Sequence, residues 1–479
     1  AAGGGFGIAP APAMPGTVGA TPSGHQVDPR MQPGGMQPVK KTPSSMSQRL
    51  KYDGKIKELY KIWIVNHLLQ LVTLAVYRPW AIIRQRKYMY RHVHYKGERF
   101  EFYGRGGQLF KGMGVTIIGG LMFYAILYTV VLMISPELQK ILSKDGFMVA
   151  LASIQEHWFA GLIGTLATMF FFLFVKYAGL RYRMNHTTFK GIRGSLGGSA
   201  IKYGMVATLM MVGLFMASGL IVIALSFVAT FLFLGAGGVF LIPVVAGLVG
   251  GLLGFIDFWK VKYIVSNMSF GGEAFQFKGT KGSLVKAGAL HLVGIALGMA
   301  LLTFLFAGSF DVNNGNAVAT GFAGFFLPVM FVILFIAARA WYRAKFLQAF
   351  IGGVEGDTIR LNATHTFAGI LWVRLGNILL LLLSFGITMG ILGILDVVGV
   401  NFEFAYAEFV TTLIIIVGTA SVMPIVYHRM MKYFINNIVV FGNPLSEEFL
   451  QESQKSGAYG DAADEFFDDA GLDIDMGLI

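Results

Sequence analysis

The sequence predicts an all-α polytopic membrane protein of about eight transmembrane helices plus one further membrane segment, built from parallel internal repeats with short β-hairpins on the cytoplasmic side. Three observations lead there. Of the 479 residues, 55% are hydrophobic and 13% charged, and the mean hydropathy is +0.64, outside the range of soluble domains. Nine apolar stretches approach the roughly 20 helical residues needed to cross about 30 Å of hydrocarbon. A fixed spacing also recurs: a basic residue, an aromatic, His or Asn four positions after the aromatic, and Gly nine positions after it. It appears as Lys87-Tyr88 with His92 and Gly97, Arg181-Tyr182 with His186 and Gly191, Lys262-Tyr263 with Asn267 and Gly272, and Lys432-Tyr433 with Asn437 and Gly442. A degraded copy starts at Lys345-Phe346, with Phe350 in place of His or Asn.

Residues 1–46 are rich in Gly, Pro, Ala and Met without helical or strand periodicity, which predicts a disordered arm. The first 30 residues hold no apolar run long enough for a signal peptide. The membrane domain is expected over 47–446. It opens with Tyr52, Gly54, Leu59 and Lys61, and the same offsets return in Phe102, Gly104, Leu109 and Lys111 and in Phe277, Gly279, Leu284 and Lys286. This second pattern marks the start of a membrane helix.

The predicted spans are 59–77, 112–134, 158–178, 205–228, 237–257, 284–307, 321–338, 370–395 and 408–427. Between them, the stretches 84–111, 176–202, 260–286 and 339–374 carry eight, six, five and five Lys or Arg, whereas the alternate loops carry only Lys140 and Lys144. The positive-inside rule therefore assigns every copy of the repeated spacing, and the C-terminus, to the cytoplasm.

The first segment breaks this alternation. Seven Lys or Arg lie between Lys40 and Lys61, and Arg84, Arg86 and Lys87 follow it, so both flanks ask to be inside. Too few residues separate Lys61 from Arg84 to cross twice at about 1.5 Å per residue. Two readings stay open: a re-entrant or interfacial hairpin that Pro79 helps to break, or a crossing that leaves a basic arm outside. The charge evidence favours the first. A bent segment at membrane depth needs partners for its freed backbone groups, and Asn66, His67 and Gln70 supply candidates.

Alternation of Val93, Tyr95, Phe100 and Phe102 around Lys96-Gly97, and of Met268, Phe270, Phe275 and Phe277 around Gly271-Gly272, predicts hairpins in which the ninth-position Gly takes positive φ. The aromatic positions 88, 182, 263, 346 and 433 are 81 to 94 residues apart, enough for a helix pair and a hairpin. Each copy meets the same side of the membrane, so the repeats are parallel. Pro79, Arg84, Lys87, Tyr88 and Gly97 match Pro424, Arg429, Lys432, Tyr433 and Gly442 at every offset, making the first and last units bookends. Beyond them, residues 447–479 hold ten acids and one base. This predicts a solvated acidic cytoplasmic tail, with Phe466-Phe467 and Leu472 to Ile474 leaving a protein-docking role open.

The run from Glu58 through Pro79-Trp80 to Gly104, the Arg181-Tyr182-Arg183 and Phe189-Lys190-Gly191 segment, and the closing Asp473-Ile474-Asp475 together resemble the YjgN-like family of bacterial inner-membrane proteins, a family of unknown function. The resemblance implies a multi-pass inner-membrane protein and brings no catalytic residues or substrate. The sequence departs from the family pattern over 346–357 and in its long arm.

No catalytic signature is present: no His-Glu-x-x-His, nucleophile elbow or Walker-type loop. The reading is therefore not an enzyme, without cofactor. The absence of Cys excludes disulfides and thiolate metal sites. His92, His94 and His186 lack carboxylates at ligand spacing, so no metal is expected.

Two residue sets remain. Lys87, Tyr88, Arg181, Tyr182, Lys262, Tyr263, Lys345, Lys432 and Tyr433 suit interfacial anchoring or contact with anionic lipid headgroups, with His92, His186, Asn267 and Asn437 as the polar partners of the repeated spacing. Asn66, His67, Gln70, His291, Arg374 and Asn377 are polar within apolar runs, where unpaired polarity is costly. Pro243, Pro328 and Pro424 mark kinks in helices returning to the cytoplasm, and the Gly-rich run 235–254 reads as close helix packing. These features predict binding or transport of a lipid or small solute. The alternative is a scaffold recruiting partners through hairpins and tail. No nucleic acid is expected, and homo-oligomer formation is left open.

Overall fold

The computed structural model describes residues 47–134, 140, 158–233, 238–306, 317–397 and 407–444, so the predicted arm and acidic tail lie outside the described residues. Helices dominate. In chain order they are α1 (Ile56–Val72), α2 (Arg78–Arg91), α3 (Gly106–Ile134), α4 (Trp158–Asn185), α5 (Ala200–Phe233), α6 (Gly238–Val265), α7 (Lys281–Phe306), α8 (Ala317–Gly352), α9 (Phe367–Val397), α10 (Ala407–Ala420) and α11 (Met423–Asn436).

Seven of these, α3 to α9, are long and apolar enough to cross a membrane. They contain the predicted spans from 112–134 to 370–395 except for positions 237 and 307, which lie outside the described residues, and the protein is a multi-pass membrane protein. Several helices continue past the apolar run into the basic stretch that follows. The last expected span, 408–427, falls on two helices of 14 residues separated by Ser421 and Val422. Pro424 lies in the first turn of α11, where its missing N–H leaves no intrahelical bond unmade, whereas Pro243 and Pro328 lie inside the continuous helices α6 and α8. The Gly-rich α6 packs against α7 backbone to backbone, and a Cβ on Gly250 would fall 2.2 Å from the Gly288 carbonyl. Glycine here buys proximity and not a pore.

Helices that approach the strands end the same way. His92 and His186 place Nδ1 2.7 and 2.8 Å from the carbonyls of Tyr88 and Tyr182, while Asn267 and Asn437 donate through Nδ2 to those of Tyr263 and Tyr433 at 2.6 and 2.7 Å. The side chain four residues on satisfies a carbonyl that the terminating helix would leave orphaned. A tight turn follows, with Lys96-Gly97, Lys190-Gly191 and Gly271-Gly272 each at positive φ in both residues. Such paired turns suit two-residue hairpins.

The strands are short and antiparallel. β3 (Val93–Tyr95) pairs with β4 (Glu98–Phe102), β4 with β5 (Thr187–Phe189), β5 with β6 (Ile192–Leu196), β6 with β7 (Met268–Phe270), and β7 with β8 (Glu273–Ala274). Past Phe275 the chain continues as β9 (Gln276–Phe277), which pairs with β10 (Val354–Glu355). β10 pairs with β11 (Arg360–Ala363), and β11 with β12 (Ile438–Phe441). The circuit returns through β1 (Ser47–Arg49), which pairs with β12, and β2 (Lys51–Tyr52), one residue further on, which pairs with β3.

The seven- and five-stranded sheets are joined by the continuous segments 47–52 and 273–277, so that the strands follow one circuit, a ring of hairpins. Tyr95, Phe189, Phe275, Val354 and Val440, one from each successive hairpin, meet in a single buried cluster together with Val261 and Val265 of α6. The ring is thus filled with side chains and is not a channel.

Candidate functional site

Two local irregularities meet where the chain's first and last helices adjoin. The first is the α1–α2 hairpin. Tyr52, four residues before α1, pairs with Val93, two residues after α2, so residues 53–92 leave and return at one place. At about 1.5 Å per residue, α1 and α2 reach about 25 and 21 Å, short of a 30 Å crossing. The connecting turn puts Leu74 and Ala75 at positive φ. Leu74 is 88% and Val72 80% exposed, an apolar tip suited to lipid and not to water.

The second irregularity is the break between α10 and α11. Helix ends at membrane depth need protein partners for their carbonyls. Here the Ser421 carbonyl accepts the Tyr60 hydroxyl of α1 at 2.9 Å, and the Gly418 carbonyl accepts the hydroxyls of Ser384 and Ser421 at 2.7 and 2.6 Å. Tyr60 thus ties the first membrane helix to the broken last one.

Between them is a cavity of about 790 Å³, within the 300 to 1,000 Å³ typical of small-molecule sites. Its walls are mostly apolar, with Leu59, Ile62 and Trp63 from α1, Ala81 and Ile82 from α2, and Met423, Pro424 and Val426 from α11. The polar lining is confined to Asn66, His67, Gln70, Arg78, Gln85 and Tyr427. Asn66 is only 4% exposed and donates through Nδ2 to the Ala81 carbonyl at 3.2 Å. Its Oδ1 is buried with no partner. Gln70 donates to the Asn66 carbonyl at 3.0 Å, and His67 stacks on Trp63 at 4.0 Å with Nδ1 2.8 Å from the Trp63 carbonyl.

Of the intramembrane polar residues expected from sequence, the fold gathers Asn66, His67 and Gln70 at this cavity and leaves the other three elsewhere. His291 (8% exposed) and Asn377 (7%) are buried in α7 and α9, and Arg374 is partly buried in α9. None of these three lines the cavity. Arg78 and Gln85 were absent from the expectation because they flank an apolar run instead of interrupting it. Their signal was the Arg-Pro pair that starts α2.

The repeated basic and aromatic residues divide. Lys262, Lys345 and Lys432 are exposed, and Lys87 and Arg181 are half-buried. They occupy helices that feed five different hairpins. The tyrosines bind backbone. Tyr88 accepts the Lys55 N–H at 2.7 Å and donates to the same residue's carbonyl at 3.0 Å. Tyr263 does this with Ser199 at 3.1 and 3.0 Å, and Tyr433 with Thr366 at 3.1 Å for both bonds. Each clamped residue directly precedes a helix, α1, α5 or α9, whose N-terminal groups need partners. Tyr182 stands beside Gly104, just before α3. Burial pushes the Tyr88 hydroxyl up to about 12, so it keeps the proton it donates.

Among the described residues no group of three or more His, Cys, Asp or Glu is placed to hold a metal. No solved structure matches the chain. A family described as bacterial protein of unknown function (DUF898) matches residues 47–466. Proteins named inner membrane protein YjgN are similar: those of Escherichia coli O157:H7 and K12 are 28% and 29% identical over 149 and 150 residues. Those alignments cover 31% of this chain and 31% of each relative. The Salmonella typhimurium protein of the same name is 22% identical over 365 residues, 71% of this chain and 83% of that protein.

Proposed function

The chain belongs to this DUF898 family of bacterial membrane proteins, and from that premise we propose that it binds or moves a lipid or small solute at the cavity between α1, α2 and α11. The observation that carries the reading is the unpaired Asn66 Oδ1 in a mostly apolar cavity against a broken helix. A buried amide atom without a partner costs about 1 to 3 kcal/mol, which a bound molecule offsets. Breaks in membrane helices are where transporters expose polar backbone to substrate. The apolar walls favour an acyl chain or other apolar body, and Arg78 favours an anionic end.

The same proposal has an architectural part. The protein sits in the bacterial inner membrane with its hairpins and C-terminus cytoplasmic and residues 53–92 re-entrant. It consists of five parallel repeats, each a returning helix, a hairpin and a departing helix. The fifth is assembled from the two chain ends, with α11 and β12 from one and β1, β2 and α1 from the other. Support comes from the shared helix-end hydrogen bonds, the tyrosine clamps and the pairing of β12 with β1. Single cysteines replacing Asp53 and Glu98 test the topology, since both should label from the cytoplasmic side only. Labelling of Asp53→Cys from the periplasm overturns the re-entrant segment.

For the ligand, native mass spectrometry of protein extracted in mild detergent identifies what co-purifies. Asn66→Leu and Arg78→Gln should each reduce the retained lipid or solute several-fold, at unchanged elution volume. Retention at wild-type level in both variants overturns the cavity. If the cavity variants keep biological activity and deletion of 447–479 removes both activity and a bound protein, the scaffold reading replaces it.

A further inference from the structure

The positive-inside count treats Lys176, Lys260, Arg339, Arg343 and Arg374 as flanking charges, but all five lie inside helices α4, α6, α8 and α9. Lys176 is nine residues before the end of α4, Lys260 five before the end of α6, Arg343 nine before the end of α8, and Arg374 seven after the start of α9. At about 1.5 Å per residue they share a layer roughly 8 to 14 Å beyond the strand ring. Within it, Lys176 is in electrostatic reach of Lys260 and Arg343, and Arg343 of Arg374 and of the exposed Arg339, which lies one turn further along α8 from the ring. Lys176, Lys260, Arg343 and Arg374 are partly buried.

Set against these cations is Asp257. Its Oδ2 accepts the Tyr342 hydroxyl at 2.6 Å, and its Oδ1 is 3.7 Å from Lys260 Nζ. The guanidinium of Arg339 lies over the Tyr342 ring at 5.9 Å, and that ring stacks on His291 at 5.1 Å. Arg343 Nη2 is buried with no hydrogen-bond partner. An arginine in such surroundings keeps its charge. Lys176, Lys260 and Arg343, all partly buried, share the reach of this one engaged carboxylate, which leaves an excess of positive charge in an apolar bundle, where unpaired charge is strongly disfavoured.

We infer that this layer is an anion site for a phosphate-bearing group, held by Arg343 and Lys260 with Lys176, Arg339 and Arg374 completing the positive field. Guanidinium forks match tetrahedral oxyanions, and a multiply charged group suits the excess of cations. The site is separate from the α1–α2–α11 cavity, since none of its residues lines that space.

The test uses the full chain in mild detergent at low salt, with retention of radiolabelled inorganic phosphate in one arm and native mass spectrometry after adding phosphatidylglycerol in the other. Saturable retention in the first arm assigns a soluble phosphate, and retention in the second alone assigns a lipid headgroup. Both outcomes support the site. Arg343→Gln and Lys260→Gln should weaken retention about tenfold, as expected for loss of a charged partner. Asp257→Asn removes the opposing charge and should strengthen it. Lys202→Gln, at an exposed position in the first turn of α5, should change nothing. If Arg343→Gln fails to fold, the opposite signs expected of Lys260→Gln and Asp257→Asn still decide. Retention in neither arm, or equal retention by wild type, Lys260→Gln and Asp257→Asn, overturns the proposal.

Discussion

Tyr263 and Ser199 exchange two hydrogen bonds, the Ser199 N–H to the tyrosine hydroxyl at 3.1 Å and the hydroxyl to the Ser199 carbonyl at 3.0 Å. The side chain acts as a surrogate strand partner at the start of α5, tying it to α6, which lies 64 residues away at this point. Tyr88 and Tyr433 perform the same task elsewhere, at Lys55 and Thr366.

Removing that hydroxyl isolates the contribution of the clamp. Tyr263→Phe keeps the ring and leaves the Ser199 N–H and carbonyl to solvent or to nothing. The expected cost is about 1 to 2 kcal/mol, read as a lower midpoint of thermal unfolding in detergent. An unchanged midpoint would show that water replaces the hydroxyl without loss.

Glycines of the repeated spacing are not equal. Gly97 and Gly442 both have positive φ, at +86° and +103°. A Cβ on Gly97 meets nothing within 4 Å, whereas on Gly442 it would fall 2.0 Å from the Thr358 carbonyl. Gly97→Ala should therefore cost about 1 to 2 kcal/mol from backbone strain alone. Gly442→Ala should cost clearly more and disturb the β11–β12 edge. Equal unfolding midpoints for the two variants would contradict this packing.

Closure of the ring by the chain ends is testable because the protein has no cysteine of its own. Gln48 and Val440 are direct antiparallel partners. Such pairs have Cα atoms about 4.5 to 5.5 Å apart, within the range a disulfide spans. The double variant Gln48→Cys, Val440→Cys should cross-link on mild oxidation and migrate faster on a non-reducing gel. Gln48→Cys paired with Val354→Cys, on a strand that is not a neighbour, should not.

His365 sets a pH dependence. It is fully buried, and its Nε2 lies 3.1 Å from the Phe434 carbonyl. Burial first, and the Arg343 charge with it, hold its pKa below the usual 6.5. The unfolded chain therefore takes up a proton that the folded one resists. Its contribution is fully present above about pH 6.5 and is lost as pH falls below that value. Thermal midpoints measured from pH 8 to 5 should drop in wild type, and the drop should be shallower in His365→Leu. Parallel pH profiles for the two proteins would remove His365 as the cause.

What was legible in the sequence was whatever depends on local pattern. Apolar length located the membrane helices from 112 to 395, since desolvating a backbone requires a helix wherever the run is long enough. The four copies of one spacing located helix ends, and Gly97, Gly191, Gly272 and Gly442 do take positive φ. Only tertiary structure decided the rest. That Ser47–Arg49 completes the hairpin begun by Ile438–Phe441 depends on pairing across the whole chain, which no window of residues contains. Nor does a sequence show which polar residues share a space. Asn66, His67 and Gln70 meet Arg78 and Gln85 because a hairpin turns back at Leu74, and Lys176, Lys260, Arg343 and Arg374, which count as flanking charges, come to one depth because four helices put them there. Charge in a sequence is a tally along a line, whereas its energy is set by distance and burial in three dimensions.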